Sequence, residues 1–183
     1  MDTLSTYDPR QGLPSASAFG RLALCPGSFT LEQSCPDEIS AAANEGTLLH
    51  AYMEQLLTGE PWKGAPLTAE QVELCERALR MLDGVKEMIE RDHPGAVFYL
   101  ISTEQRVFYR NLFGTAYYSG QWDALFEVNC PDASFMLVAD WKFGRVEVDS
   151  AEANRQLEAL VPLVAQKEQN DNIYFLKHML TYK

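Results

Sequence analysis

No two cysteines in this sequence are spaced as a pair. Cys25, Cys35, Cys75 and Cys130 are scattered without a C-x-x-C spacing, which removes the usual signatures of a zinc site and of a disulfide framework. Unpaired cysteine usually behaves as a small buried apolar residue, so free buried thiols are expected. No apolar run approaches the ~20 residues of a membrane span, and no basic segment followed by an apolar one stands at the N-terminus. A cytoplasmic protein that meets no membrane is therefore expected. Positive charge is also scarce, with 15 Lys and Arg against 26 Asp and Glu and a net charge of −11. Such a surface does not grip a polyanion everywhere, because phosphate binding rests chiefly on Lys and Arg. Any nucleic-acid role must be local, through a basic patch in a cleft, metal ions that offset carboxylates, or a basic partner. Internal repeats and low-complexity tracts are lacking too.

What is present reads as one globular domain. The 183 residues, 46% apolar and 22% charged, are enough to bury a sizeable core. Residues 1–14, with Pro9, Gly12 and Pro14, read as a flexible arm, and residues 15–183 as the domain. "PSASAFGRLALCPG" predicts a short helix capped by Ser15 or Ser17 and ended by Pro26-Gly27. Leu48, Leu49, Tyr52, Met53, Leu56 and Leu57 recur at helical spacing, which predicts a helix from about Ile39 to Leu57 with Gly59 as its stop. A longer helix is predicted from Thr68 to about Arg91. Thr68 and Gln71 make a capping-box pattern, and Cys75 belongs to its apolar stripe.

Three segments rich in β-branched and aromatic residues follow: "AVFYLISTEQRVFY", "SGQWDALFEV" and "SFMLVADWKF". They predict strands, with Trp122, Ala124, Phe126 and Val128 on one apolar face of the second. "NCPDAS" predicts a hairpin between the last two. If its turn centres on Pro131-Asp132, paired residues have numbers summing to 263, and Asp123 lies opposite Asp140. Directly opposed residues have Cβ atoms about 4.5–5.5 Å apart, and two carboxylates that close are costly without a cation. Asp149 or Ser150 can cap a following helix that Pro162 should kink or interrupt. "NIYFLKHML" is taken as a final strand.

The residues with chemistry cluster in these elements. Alternation puts Asp140 and Lys142 on one face of their strand and Trp141 on the other. Carboxylates suit hard divalent cations, and an ammonium nearby can orient a water or stabilise charge developing on a phosphoryl oxygen. A strand-end salt bridge is the plainer reading of D-x-K, and a satisfied structural histidine that of His50, which falls at the border of its helix's apolar stripe.

In order, Gly46-x-x-x-His50, Gly120-x-x-Asp123, Asp140-x-Lys142 and the helix carrying Asn154-x-Gln156-Leu157 resemble the RecB-like branch of the PD-(D/E)XK nuclease superfamily. "LPSAS", "LCPGS" and "EGTLLHAYME" are similar to segments of phage-borne members, and the resemblance spans about Leu13 to Leu160. It implies an α/β, restriction-endonuclease-like core, a mixed central β-sheet flanked by α-helices. It further implies a divalent-metal-dependent DNA nuclease, a phage or prophage exonuclease acting in recombination or end processing inside a bacterial host cell. His50, Asp123, Asp140 and the Trp141 carbonyl would hold Mg²⁺ or Mn²⁺. Lys142 would position the attacking water; Gln156, with Arg155 and Arg145, would handle DNA; Glu104 is a second-rank acid. A homo-oligomer or a phage recombination protein is the implied partner besides DNA. The chain departs from the family where a tyrosine often stands, at Leu160, and it lacks the cysteine set that holds an iron–sulfur cluster in some relatives, so no cluster is expected. The competing reading is a nuclease-fold protein that no longer cuts and serves as a DNA-binding or protein-interaction module in anti-defence.

Overall fold

A computed structural model describes residues 8–35, 41–143 and 153–169. After a 3-10 turn at Ala16–Ala18 come α1 (Phe19–Leu24), α2 (Ser28–Gln33), α3 (Ala41–Thr58), α4 (Ala69–Asp92), β1 (Val97–Arg110), β2 (Ala116–Asn129), β3 (Ser134–Ala139) and α5 (Arg155–Glu168). The strands form an antiparallel sheet in the order β1-β2-β3. Among the described residues the sheet has no parallel strand pair, and the parallel contact recorded is an isolated bridge from Ser15 to Ser119, so the mixed sheet expected from the sequence is not seen there. No helix among them is long and apolar enough to cross a membrane.

Local chemistry accounts for the helix boundaries. Thr68 Oγ1 accepts from the Gln71 amide at 3.2 Å while Gln71 Oε1 accepts from the Thr68 amide at 3.0 Å, so the capping box forms as predicted. Such a cap is worth about 1 kcal/mol. Gln71 Nε2 also donates to Glu45 at 3.0 Å, which ties the start of α4 to α3. Gly59 ends α3 in the left-handed region at φ +73°, open to glycine without steric cost. The short helix after Ser15 is followed by α2, which no sequence signal had marked. Ser15 bonds to Ser17 at 2.8 Å and makes no side-chain cap.

Helices cover both faces of the sheet. On one face, Ala124, Phe126, Val128, Phe135, Leu137, Ala139 and Trp141 pack with Leu49 and Met53 of α3 and Cys75, Leu82 and Ile89 of α4. On the other, Leu125, Met136 and Val138 meet Leu157, Leu160, Leu163 and Val164 of α5. Because β2 is covered on both sides, residues 122–126 are all buried, and apart from Asp123 they are apolar instead of alternating. This corrects the predicted face of β2: Trp122 packs with Leu125 in the α5 cluster, apart from Ala124, Phe126 and Val128. The neighbouring strand is irregular here. Its register shifts between Leu100 and Ser102, and Glu104 takes φ +45°.

Two further expectations change. Helix α5 is not interrupted at Pro162 but runs on to Glu168, and its N-cap is Asn154, whose Oδ1 accepts the Leu157 amide at 3.1 Å. Proline removes one helical hydrogen bond, and the buried leucines on either side hold the helix on the sheet regardless. Cys25 and Cys35 are exposed and Cys130 is half-buried; Cys75 alone is fully in the core. Asp149, Ser150 and "NIYFLKHML" lie outside the described residues, as do residues 1–7 of the predicted arm.

Gly120 owes its place to α5. A Cβ there would come within 2.4 Å of Leu163 Cδ1 and 2.7 Å of Leu160 Cδ2, both on buried side chains. Gly120→Ala is expected to destabilise the fold by about 1–3 kcal/mol through overpacking. A lower urea midpoint at unchanged slope would show it; an unchanged midpoint would mean that α5 does not press on the strand.

Candidate metal centre

Four chain segments, α3, β1, the β2–β3 hairpin and α5, bring their polar groups together where β3 ends beside the middle of β1 and β2. Hairpin β2–β3 has the predicted register, with Ala124 opposite Ala139 and numbers summing to 263 at every pair. One step further brings Asp123 and Asp140 side by side where the ladder stops. Both are buried, at 6% and 2% exposure, so neither charge is relieved by water. The strand stops being apolar at Asp140 because β2 delivers a second acid there.

From α3, His50 reaches over this pair. Its Nδ1 lies 3.2 Å from Asp123 Oδ1 and 3.4 Å from Glu104 Oε1. Burial opposes an imidazolium here, but the hydrogen bonds and charges of Asp123 and Glu104 outweigh it and push His50 up to about 10. Ligand atoms of His50, Glu104 and Asp123 all lie within 4.8 Å of one another, a spacing that could hold a metal ion. Glu104 thus stands in the triad itself, above its second rank in the sequence reading. Its left-handed backbone costs on the order of 1 kcal/mol for a non-glycine residue, strain of the kind that collects at functional sites.

Asp140 forms the second half of the site. Its Oδ1 accepts from Gln156 Nε2 at 2.6 Å, and its Oδ2 is ion-paired with the Lys142 ammonium. Burial first, and then the charge of Asp123, raise Asp140 to about 6 despite Lys142. Trp141 points the other way, into the core, while its amide donates to Asp123 Oδ2. Gln156 lines the cleft with its amide committed to Asp140. Arg155 is exposed, bonds Glu158 at 2.7 Å and does not line the cleft; Arg145 lies outside the described residues.

The cleft, of about 480 Å³, is lined by four carboxylates (Glu54, Glu104, Asp123, Asp140) but only two permanent cations, Arg106 and Lys142. A divalent ion fits this deficit and the mixed oxygen and nitrogen donor set. Sequence reasoning passed over Glu54 and Gln121. Glu54 stands four residues after His50 on the same helix face, a spacing that could have marked it. Gln121 carries no such signal. Its amide nitrogen donates to Glu104 Oε2 at 2.6 Å and its oxygen accepts from Arg106 at 3.0 Å. At position 160, where the resemblance leads one to expect tyrosine, Leu160 is buried against Gly120.

Fold and site together define an α/β protein with helices on both faces of an antiparallel sheet and an acidic, metal-competent cleft where its shortest strand, β3, ends. The chain belongs to the family described as "Protein of unknown function (DUF2800)", whose model matches residues 12–177. No curated protein matches the chain.

Proposed function

We propose that this chain is a divalent-metal-dependent deoxyribonuclease with a restriction-endonuclease-like core of the RecB-like PD-(D/E)XK type. The observation that carries the reading is the convergence of His50, Glu104, Asp123, Asp140 and Lys142 on one cleft from α3, β1, β2 and the end of β3. His50, Glu104 and Asp123 would hold Mg²⁺ or Mn²⁺, with Asp140 beside them. When bound, such an ion lowers the pKa of its water below the bulk value and stabilises charge on the phosphoryl group.

The chain's own groups supply the remainder. Lys142 is 29% exposed at the cleft and held by Asp140, which places a cation where a water or a non-bridging phosphate oxygen can meet it. Gln156 fixes the Asp140 carboxylate through Oδ1 and so orients Oδ2. The Trp141 amide fixes Asp123 in the same manner. Incubation with linear and closed-circular DNA, with Mg²⁺ or Mn²⁺ and with chelator, tests the proposal. Metal-dependent loss of linear DNA alone is the exonuclease result; no loss of either would leave the binding-module reading.

Metal binding should also be linked to pH. Asp140, raised from 3.8 to about 6, and His50, raised from 6.5 to about 10, both hold more protons folded than unfolded. Their contribution to metal-free stability is therefore full below the unfolded values and falls as pH rises through each window. A ligating imidazole must be neutral, so metal takes the place of the His50 proton, and its charge favours the ionised form of the neighbouring Asp140. The Tm gain from saturating Mn²⁺ should grow from pH 5.5 to 8.5. A gain that is flat or shrinks with pH would place the ion away from His50 and Asp140.

A further inference from the structure

A second cleft, of about 720 Å³, adjoins the metal centre and shares Ser15, Ser17 and Arg106 with it. Arg106 stands at the junction. Its partly buried guanidinium donates to two neutral oxygens, Ser119 Oγ at 3.1 Å and Gln121 Oε1 at 3.0 Å. Among the described residues no carboxylate pairs with it. The acids of the second cleft are engaged elsewhere: Asp8 with Arg10 at 3.4 Å and Glu32 with Arg21. Of the five N–H groups on a guanidinium, two are used.

A partly desolvated cation without a counter-charge is costly, and arginine does not escape the cost by losing its proton. Its planar fork suits two oxygens of a phosphate. Position adds to chemistry: Gln121 bonds both Arg106 and the triad residue Glu104, so the guanidinium is fixed one side chain from the metal centre.

We propose that Arg106 is a phosphate-binding residue, holding a phosphodiester of the DNA strand next to the one placed at the metal centre. The inference rests on the nuclease reading for its substrate, and on the Arg106 surroundings for its chemistry. The strand then runs from the metal cleft past Arg106 into the second cleft, which gives a net-acidic protein a local cation for its polyanion.

The test compares the parent protein, Arg106→Gln and Arg106→Lys, using a fluorescent single-stranded oligonucleotide with Ca²⁺, and separately inorganic phosphate. Arg106→Gln should weaken oligonucleotide binding about tenfold and lower the slope of log Kd against log salt by about 1, with Arg106→Lys in between. Thermal melting of both variants near the parent value excludes a folding defect, and Arg106→Lys keeps the test open if Arg106→Gln does not fold. Oligonucleotide affinity and salt slope unchanged in both variants would overturn the proposal while leaving cleavage by the parent, and so the nuclease reading, intact. A parent that neither cuts nor binds DNA, yet binds inorganic phosphate through Arg106, would end the nuclease reading and keep the anion site.

Discussion

Asp123→Asn should lower DNA cleavage by on the order of a thousandfold, about 4 kcal/mol of barrier. Asp123 is the hub of the site. One oxygen faces His50, the other accepts the Trp141 amide, and its charge adds to burial in raising the proton affinity of Asp140. Asparagine matches its shape and can still accept from Trp141, so folding should survive. It cannot supply the negative charge that, with Glu104, counters a divalent ion. Activity and Mn²⁺ affinity should therefore fall together. Near-parent cleavage by Asp123→Asn would remove the metal triad from the chemistry altogether.

Lys142→Met should separate what Asp123→Asn joins. The ammonium touches Asp140 and none of the three triad residues, so Mn²⁺ binding should persist while turnover falls about 10²–10³-fold, the usual loss when one charge-stabilising donor is removed. Methionine keeps the apolar stem and removes the charge. With its counter-ion gone, Asp140 should take up a proton at still higher pH, so what activity remains should shift its pH profile upward. Loss of Mn²⁺ affinity equal to the loss of rate would make Lys142 a structural partner of Asp140 only.

Much of this arrangement was legible because it rests on local rules. The capping box at Thr68 and Gln71 needs only two side chains and one turn of helix. The hairpin after Asn129 is short, with the Cys130 amide bonding Ala133 at 2.7 Å, so its turn fixes the register and brings Asp123 to Asp140. Features set by tertiary packing were not legible. Trp122 joins the α5 cluster beside an irregular stretch of β1 that no alternation rule shows. Pro162 stays helical because buried leucines on both sides hold it. Glu104 enters the triad at a positive φ, and nothing in "STEQRV" announces that backbone. Gly120 was singled out as part of a motif, and the structure shows a packing reason for it.

The most direct test of the central claim is Mn²⁺ binding followed by electron paramagnetic resonance on the parent protein and on His50→Ala. The account predicts stoichiometric Mn²⁺ in the parent with a coupling from a directly bound nitrogen, and loss of that coupling in the variant. Absence of stoichiometric Mn²⁺ binding, or an identical nitrogen signal without His50, would contradict it.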